Sequence, residues 1–143
     1  MAIRGLGTQG LIRAARPRSL HLSLWIAQVL LALAFAMAGL MKLTQPIATL
    51  AASLVWPGDV PPALVRFIGG CEVLGAIGLI LPAAPGVQPK LTSLAATGVL
   101  AVMLLAIPFH LSRGEMAPIP VNVVLGAGAL FIARFRWIPR QTR

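Results

Sequence analysis

Four long apolar runs, separated by short polar or proline-rich breaks, set the plan of the chain. They cover residues 22–43, 63–81, 91–111 and 118–135. A helix rises 1.5 Å per residue, so about 20 apolar residues cross the hydrocarbon core of a bilayer. Each run is therefore read as a membrane span. The breaks agree with this. Residues 44–62 hold Pro46, Pro57, Gly58, Pro61 and Pro62, the marks of a connection interrupted by turns. Ile47 to Val55 within it predicts a short helix lying on the membrane, with Trp56 at headgroup level. Pro82 to Pro89 is a turn short enough to make spans two and three antiparallel neighbours. Pro108 removes a backbone donor near the end of span three, and Pro118 or Pro120 suits the first turn of span four.

The fold class that follows is all-α: an integral membrane four-helix antiparallel bundle, with a short interfacial helix between spans one and two. Residues 1–21 read as a basic cytoplasmic tail, 22–136 as a single four-span domain and 137–143 as a second basic cytoplasmic tail. No internal repeat is evident. The arginine-bearing start also resembles a transit sequence, and Ala36-Met37-Ala38 a signal-peptide cleavage site. The apolar run continues past that triplet to Lys42, which favours retention as a span.

Composition sharpens the class. Of 143 residues, 58% are hydrophobic and 10% charged, with mean hydropathy +0.89; a soluble domain carries about 25% charged residues. The net charge of +9 does not indicate nucleic acid, because the basic residues stand at the ends of apolar segments and there is no Tyr. Anionic lipid accounts for them. With both termini inside, nine Lys and Arg lie on the inner side, and only Lys42, Arg66 and Arg113 on the outer. That asymmetry predicts cytoplasmic termini. Cys71 is the one cysteine, so no intrachain dithiol chemistry exists.

The polar residues inside the spans then converge. Glu72 sits within span two, and a carboxylate at membrane depth requires shielding and a partner. Its helical face carries Gly69, Gly75, Ala76 and Leu79, mostly small, which predicts a helix interface. A charged substitution at Gly75 is accordingly expected to disrupt the bundle. Gln28, Phe35, Gly39 and Lys42 form one stripe of span one, and Asn122, Gly126, Ala129 and Ala133 another of span four. Lys42, His110 and Asn122 reach the same end of the bundle as Glu72 from three other helices and form the candidate buried cluster with it. Arg66 lies about 120° from Glu72 on their own helix and, with Arg113, is a candidate entrance residue.

Each member has a plainer alternative. Glu72 serves as a functional acid or as a structural ion pair; Lys42 pairs with it or snorkels to the headgroups. His110 is functional or a hydrogen-bonded surface residue, Asn122 a helix cap or an interhelical hydrogen bonder. Cys71 reads as a small core residue. No metal set is apparent, since His21 and His110 fall on opposite sides, and no phosphate-binding loop occurs.

Ala38-Gly39-Leu40-Met41-Lys42-Leu43, Gly69-x-x-Glu72-x-x-Gly75 and His110-x-x-Arg113-Gly114-Glu115 before Asn122 resemble the DoxX-like family. The resemblance covers Trp25 to Arg134. It implies a small bacterial inner-membrane protein with four helices, and it carries over to Lys42, Glu72, His110 and Asn122. Some relatives are named as subunits of thiosulfate:quinone oxidoreductases, others are linked to oxidative-stress complexes, and related animal proteins assist receptor assembly. The expectation is an accessory or assembly subunit of a membrane complex, with a membrane-protein partner or homo-oligomer. The alternative is a redox component binding quinone in the polar cluster; a small permease is a third class. No cofactor site is evident in the residues themselves, and the sequence assigns no reaction.

Overall fold

The computed structural model describes residues 18–84 and 88–137. Expectations for the N-terminal tail, for the middle of the Pro82–Pro89 turn and for Arg140 and Arg143 lie outside the described residues. Five α-helices follow in order: α1 (Arg18–Thr44), α2 (Ile47–Leu54), α3 (Pro62–Ile80), α4 (Pro89–Ser112) and α5 (Pro118–Arg136), with a 3₁₀ turn at Trp56–Gly58. Among the described residues there is no strand. Four of the helices, α1, α3, α4 and α5, are long and apolar enough to cross a membrane.

α1 extends over Arg18 to His21, ahead of the apolar run at Leu22. Hydropathy marks the lipid-facing part of a helix, whereas the backbone ladder continues into its basic flank. α4 likewise passes through Pro108 to Ser112.

α1 packs chiefly on α3 and α4 on α5, and the α3–α4 and α1–α5 contacts close a ring. The helices alternate in direction. The start of α1 meets the end of α3 where Gln28 Nε2 donates to the Leu79 carbonyl, and the start of α4 meets the end of α5 where Ser93 Oγ donates to the Ala133 carbonyl. Side chains with period near 3.6 fill the centre: Leu31, Phe35, Ala76, Leu79, Val99 and Ile132 are buried. Large apolar residues such as Leu30, Leu74 and Leu105 remain more than half exposed on the outside, as a lipid-facing surface requires. A second small core of Leu50, Trp56 and Val65 fixes α2 over the end of the bundle. Trp56 is buried in this small core and stands edge-on to Phe109, ring centroids 6.0 Å apart. The chain turns at Val55, with φ +63°, a left-handed conformation that costs a β-branched residue about 1–3 kcal/mol.

Candidate functional site

The site begins with two glycines. A Cβ on Gly39 of α1 would lie 2.7 Å from the Gly69 carbonyl oxygen of α3, and one on Gly69 would lie 2.9 Å from the Gly39 oxygen. The two backbones touch, which only hydrogen at both positions permits. One turn further along α1, that closeness brings Lys42 onto Glu72. Lys42 Nζ donates to both carboxylate oxygens at 2.8 Å, and each residue is 8% exposed. Lys42 therefore pairs and does not snorkel. Arg66, rotated away from Glu72, donates to the Lys42 carbonyl and, at 2.7 Å, to that of Gln45. It satisfies the open carbonyls at the C-terminus of α1, where a cation also opposes the helix dipole. Arg66 thus holds the end of α1 in place.

His110 is positioned by a local turn. Gly114 takes φ +70°, its N–H donates to the Leu111 carbonyl, and the Glu115 N–H donates back to that of His110. This double bond pattern, with a glycine in the left-handed conformation, ends α4 and reverses the chain. The reversal puts Glu115 beside His110 and Arg113. His110 Nδ1 lies 2.7 Å from Glu115 Oε2, Arg113 Nε donates to Oε1 at 2.8 Å, and Arg113 Nη2 donates to Asp59 in the segment after α2. The hydrogen bonds from His110 and from Arg113 hold the Glu115 carboxyl below its ordinary value of 4.5. A depressed carboxylate stabilises the fold above its unfolded pKa, and the contribution is lost as pH falls through the folded value. The protection factors of the amides in residues 113–117 are therefore expected to fall as pH drops below about 4.5, and Glu115→Gln is expected to abolish that dependence. Protection factors independent of pH in the unaltered protein would contradict it.

Asn122, in the first turns of α5, makes no capping or interhelical hydrogen bond among the described residues. Ala117 holds the cap position, and Asn122 is 8% exposed, with no hydrogen-bond partner for Nδ2 among the described residues. Its side chain borders a cavity of about 740 Å³. Lys42, Glu72, His110, Glu115 and Asn122 line that cavity, and most of the remaining wall is apolar, including Phe35, Val102, Met103 and Leu125. The four sequence candidates thus border one space. Arg66 and Arg113 are not among the lining residues; both act on its edges. Among the described residues no group of three His, Cys, Asp or Glu gathers as a metal site.

The model of the DoxX-like family matches residues 26–132, which overlaps all five helices and includes every residue lining the cavity. The chain belongs to the DoxX-like family. No curated protein and no solved structure matches it. With four apolar helices, this DoxX-like chain is a multi-span membrane protein.

Several residues of this DoxX-like protein escape a reading by helical spacing. Glu115 and Asp59 sit in loops, where no periodicity assigns a face; only Gly114 after a helix end hints at the reversal. Arg136, read as a basic flank, is buried: its Nε donates to Gln28 Oε1 at 2.6 Å, and its guanidinium lies 5.1 Å from the Trp25 ring centroid. The lone amide of Gln28 on an apolar stripe was the available signal. Cys71 is exposed, not in the core. It follows Gly70 and precedes Glu72, and a 100° step turns it off the buried face.

Proposed function

We propose that this membrane protein holds an uncharged, polar-headed apolar molecule in the 740 Å³ cavity. The observation that carries this is the cavity itself, bordered by Asn122, a buried residue whose Nδ2 has no hydrogen-bond partner among the described residues. A buried amide without a hydrogen bond costs about 1–3 kcal/mol, a penalty removed when the amide turns to meet a ligand oxygen. Volume and polarity agree with it. Pockets of 300–1,000 Å³ with apolar walls and few polar groups are typical of small-molecule sites. Lys42 is paired with Glu72, and Glu115 with Arg113, which also bonds Asp59, so each of these charges already has a partner and none stands alone to recruit a charged head. A quinone or quinol meets the requirement, with Asn122 donating to its oxygen.

The small-residue faces, a basis for expecting a partner subunit, are largely consumed inside the bundle: Gly39, Gly69, Gly75 and Gly78 all face the chain's own helices. Ligand binding is accordingly the reading we place first, with service as an accessory component of a larger complex compatible with it. The proposed setting is a bacterial inner membrane with both termini cytoplasmic, supported by nine basic residues on the terminal side against three on the other.

Mass spectrometry of the gently extracted protein tests this. A small apolar molecule with a polar head should co-purify with it. Ala106→Trp, which fills the cavity from α4, should reduce its occupancy at least tenfold without changing the elution profile. Equal occupancy in the two proteins would remove the cavity as the site.

A further inference from the structure

The cavity lies where two pairs of helices part. α1 with α3 and α4 with α5 are the close pairs, and two seams join one pair to the other. At the end remote from α2 both seams are shut. A Cβ on Gly78 of α3 would lie 2.7 Å from the Ala95 Cβ of α4, and one on Gly75 would lie 3.1 Å from the Val99 side chain. Across the other seam Arg136 of α5 bonds Gln28 of α1 at 2.6 Å, and a Cβ on Gly128 would lie 3.8 Å from the Leu31 side chain. Toward α2 the same seams open. Leu64 and Ile68 of α3 share the face of Gly75, yet they border the cavity, as do Leu105 and Phe109 of α4. Ala38 of α1 and Val121 of α5, each two turns from the Leu31–Gly128 approach, border it as well.

Exposure tells what lies beyond these openings. Leu105 is 71% exposed and Val121 56%, so both stand at a mouth and not in a sealed wall. They belong to membrane-spanning helices, whose outer surroundings are lipid hydrocarbon. Lys42, Glu72, His110 and Asn122 are buried behind them. Over the end of the bundle the cavity is roofed. Trp56 is buried there with Leu50 and Val65, and Arg113 bonds both Asp59 and Glu115, tying the segment after α2 to the α4–α5 loop.

We infer that the cavity is loaded sideways from the bilayer, through the parted α3–α4 and α1–α5 seams, and that its ligand is a long-chain amphiphile dissolved in the membrane. An apolar tail entering this way exchanges one hydrocarbon surrounding for another, whereas a solute arriving from water must shed its hydration at an apolar rim. The inference rests on the cavity being a ligand site, and it adds where the ligand comes from.

The test places the full chain in liposomes with either of two photoreactive diazirines. One is hexadecanol with the diazirine at the tail end, which dissolves in the bilayer; the other is a diazirine analogue of leucine, a zwitterion confined to water. Mass spectrometry locates the labels. The alcohol is expected to label Phe35 and Met103, both buried lining residues, at least tenfold more than the amino acid does. Leu79 and Ile132, buried in the closed core, should stay unlabelled. The double variant Leu64→Trp/Ala38→Trp narrows both mouths and should cut labelling of Phe35 and Met103 at least fivefold, leaving lipid-facing Leu74 unchanged. Should that variant fail to fold, the two probes on the unaltered chain decide alone. Labelling by the amino acid equal to that by the alcohol, or labelling that survives in the folded double variant, overturns the sideways route and leaves the cavity as a site. Labels on Leu79 and Ile132 as strong as on Phe35 overturn it too, since the probe then penetrates the whole bundle. If neither probe reaches Phe35 or Met103, the route is overturned and the cavity reading loses support with it.

Discussion

Glu72→Gln is expected to lower the stability of the bundle by about 3 kcal/mol, the cost of leaving a buried charge without its partner. Lys42 is the charge left behind. Its Nζ bonds both oxygens of Glu72, and at 8% exposure it has little water to replace them. The double variant Lys42→Met/Glu72→Leu removes both charges and keeps the volume. Its stability should return to within about 1 kcal/mol of the parent, because apolar replacement of a buried pair is often neutral or better. Denaturant unfolding in micelles measures both. A double variant as unstable as the single one would show that the carboxylate serves a contact other than the lysine. The double variant also separates structure from chemistry: if it folds but no longer retains a ligand, the pair takes part in binding.

Gly39→Val should be at least as damaging, about 3 kcal/mol at the upper end of overpacking costs. The added Cβ meets the Gly69 carbonyl at 2.7 Å and the Glu72 Cβ at 3.0 Å. The first of these is backbone and cannot rotate aside. The helices must separate, and the Lys42–Glu72 pair one turn away lengthens with them. Gly75→Ala, by contrast, meets only the side chain of Val99 at 3.1 Å and should cost less than about 1 kcal/mol. Melting temperatures for the two variants decide the order. Equal losses at both positions would mean that the α1–α3 approach is not the tightest joint of the bundle.

Much of this architecture was legible because helical periodicity is a strong signal in an apolar chain. The stripe of Gln28, Phe35, Gly39 and Lys42 is buried along its whole length, as are Asn122, Gly126 and Ala129 on α5. Spacing gives a face, however, and not a neighbour. It made Gly69 and Gly39 interior without saying that they touch each other. It placed Lys42 near Glu72 without choosing between a pair and a headgroup anchor. Loops carry no period at all, so Asp59 and Glu115 could not be assigned by it. That Trp56 packs into a small core with Leu50 and Val65 depends on the backbone reversal at Val55, which no spacing predicts. The Arg136–Gln28 bond joins residues 108 apart, a separation that only the closure of the ring explains.

The Lys42–Glu72 pair also bears on how the chain enters lipid. Synthesis delivers the lysine 30 residues before the carboxylate. A lone acid in a span costs about 2.5–3.5 kcal/mol on the insertion scale, so α3 by itself is a weaker candidate for release into the bilayer than its apolar length suggests. With α1 already there, its counter-ion waits at the matching depth and the glycine contact gives the two helices a place to meet. α3 is then expected to leave the insertion machinery as half of a hairpin with α1, which would make neutralisation of its charge a step in biogenesis as well as a feature of the finished fold.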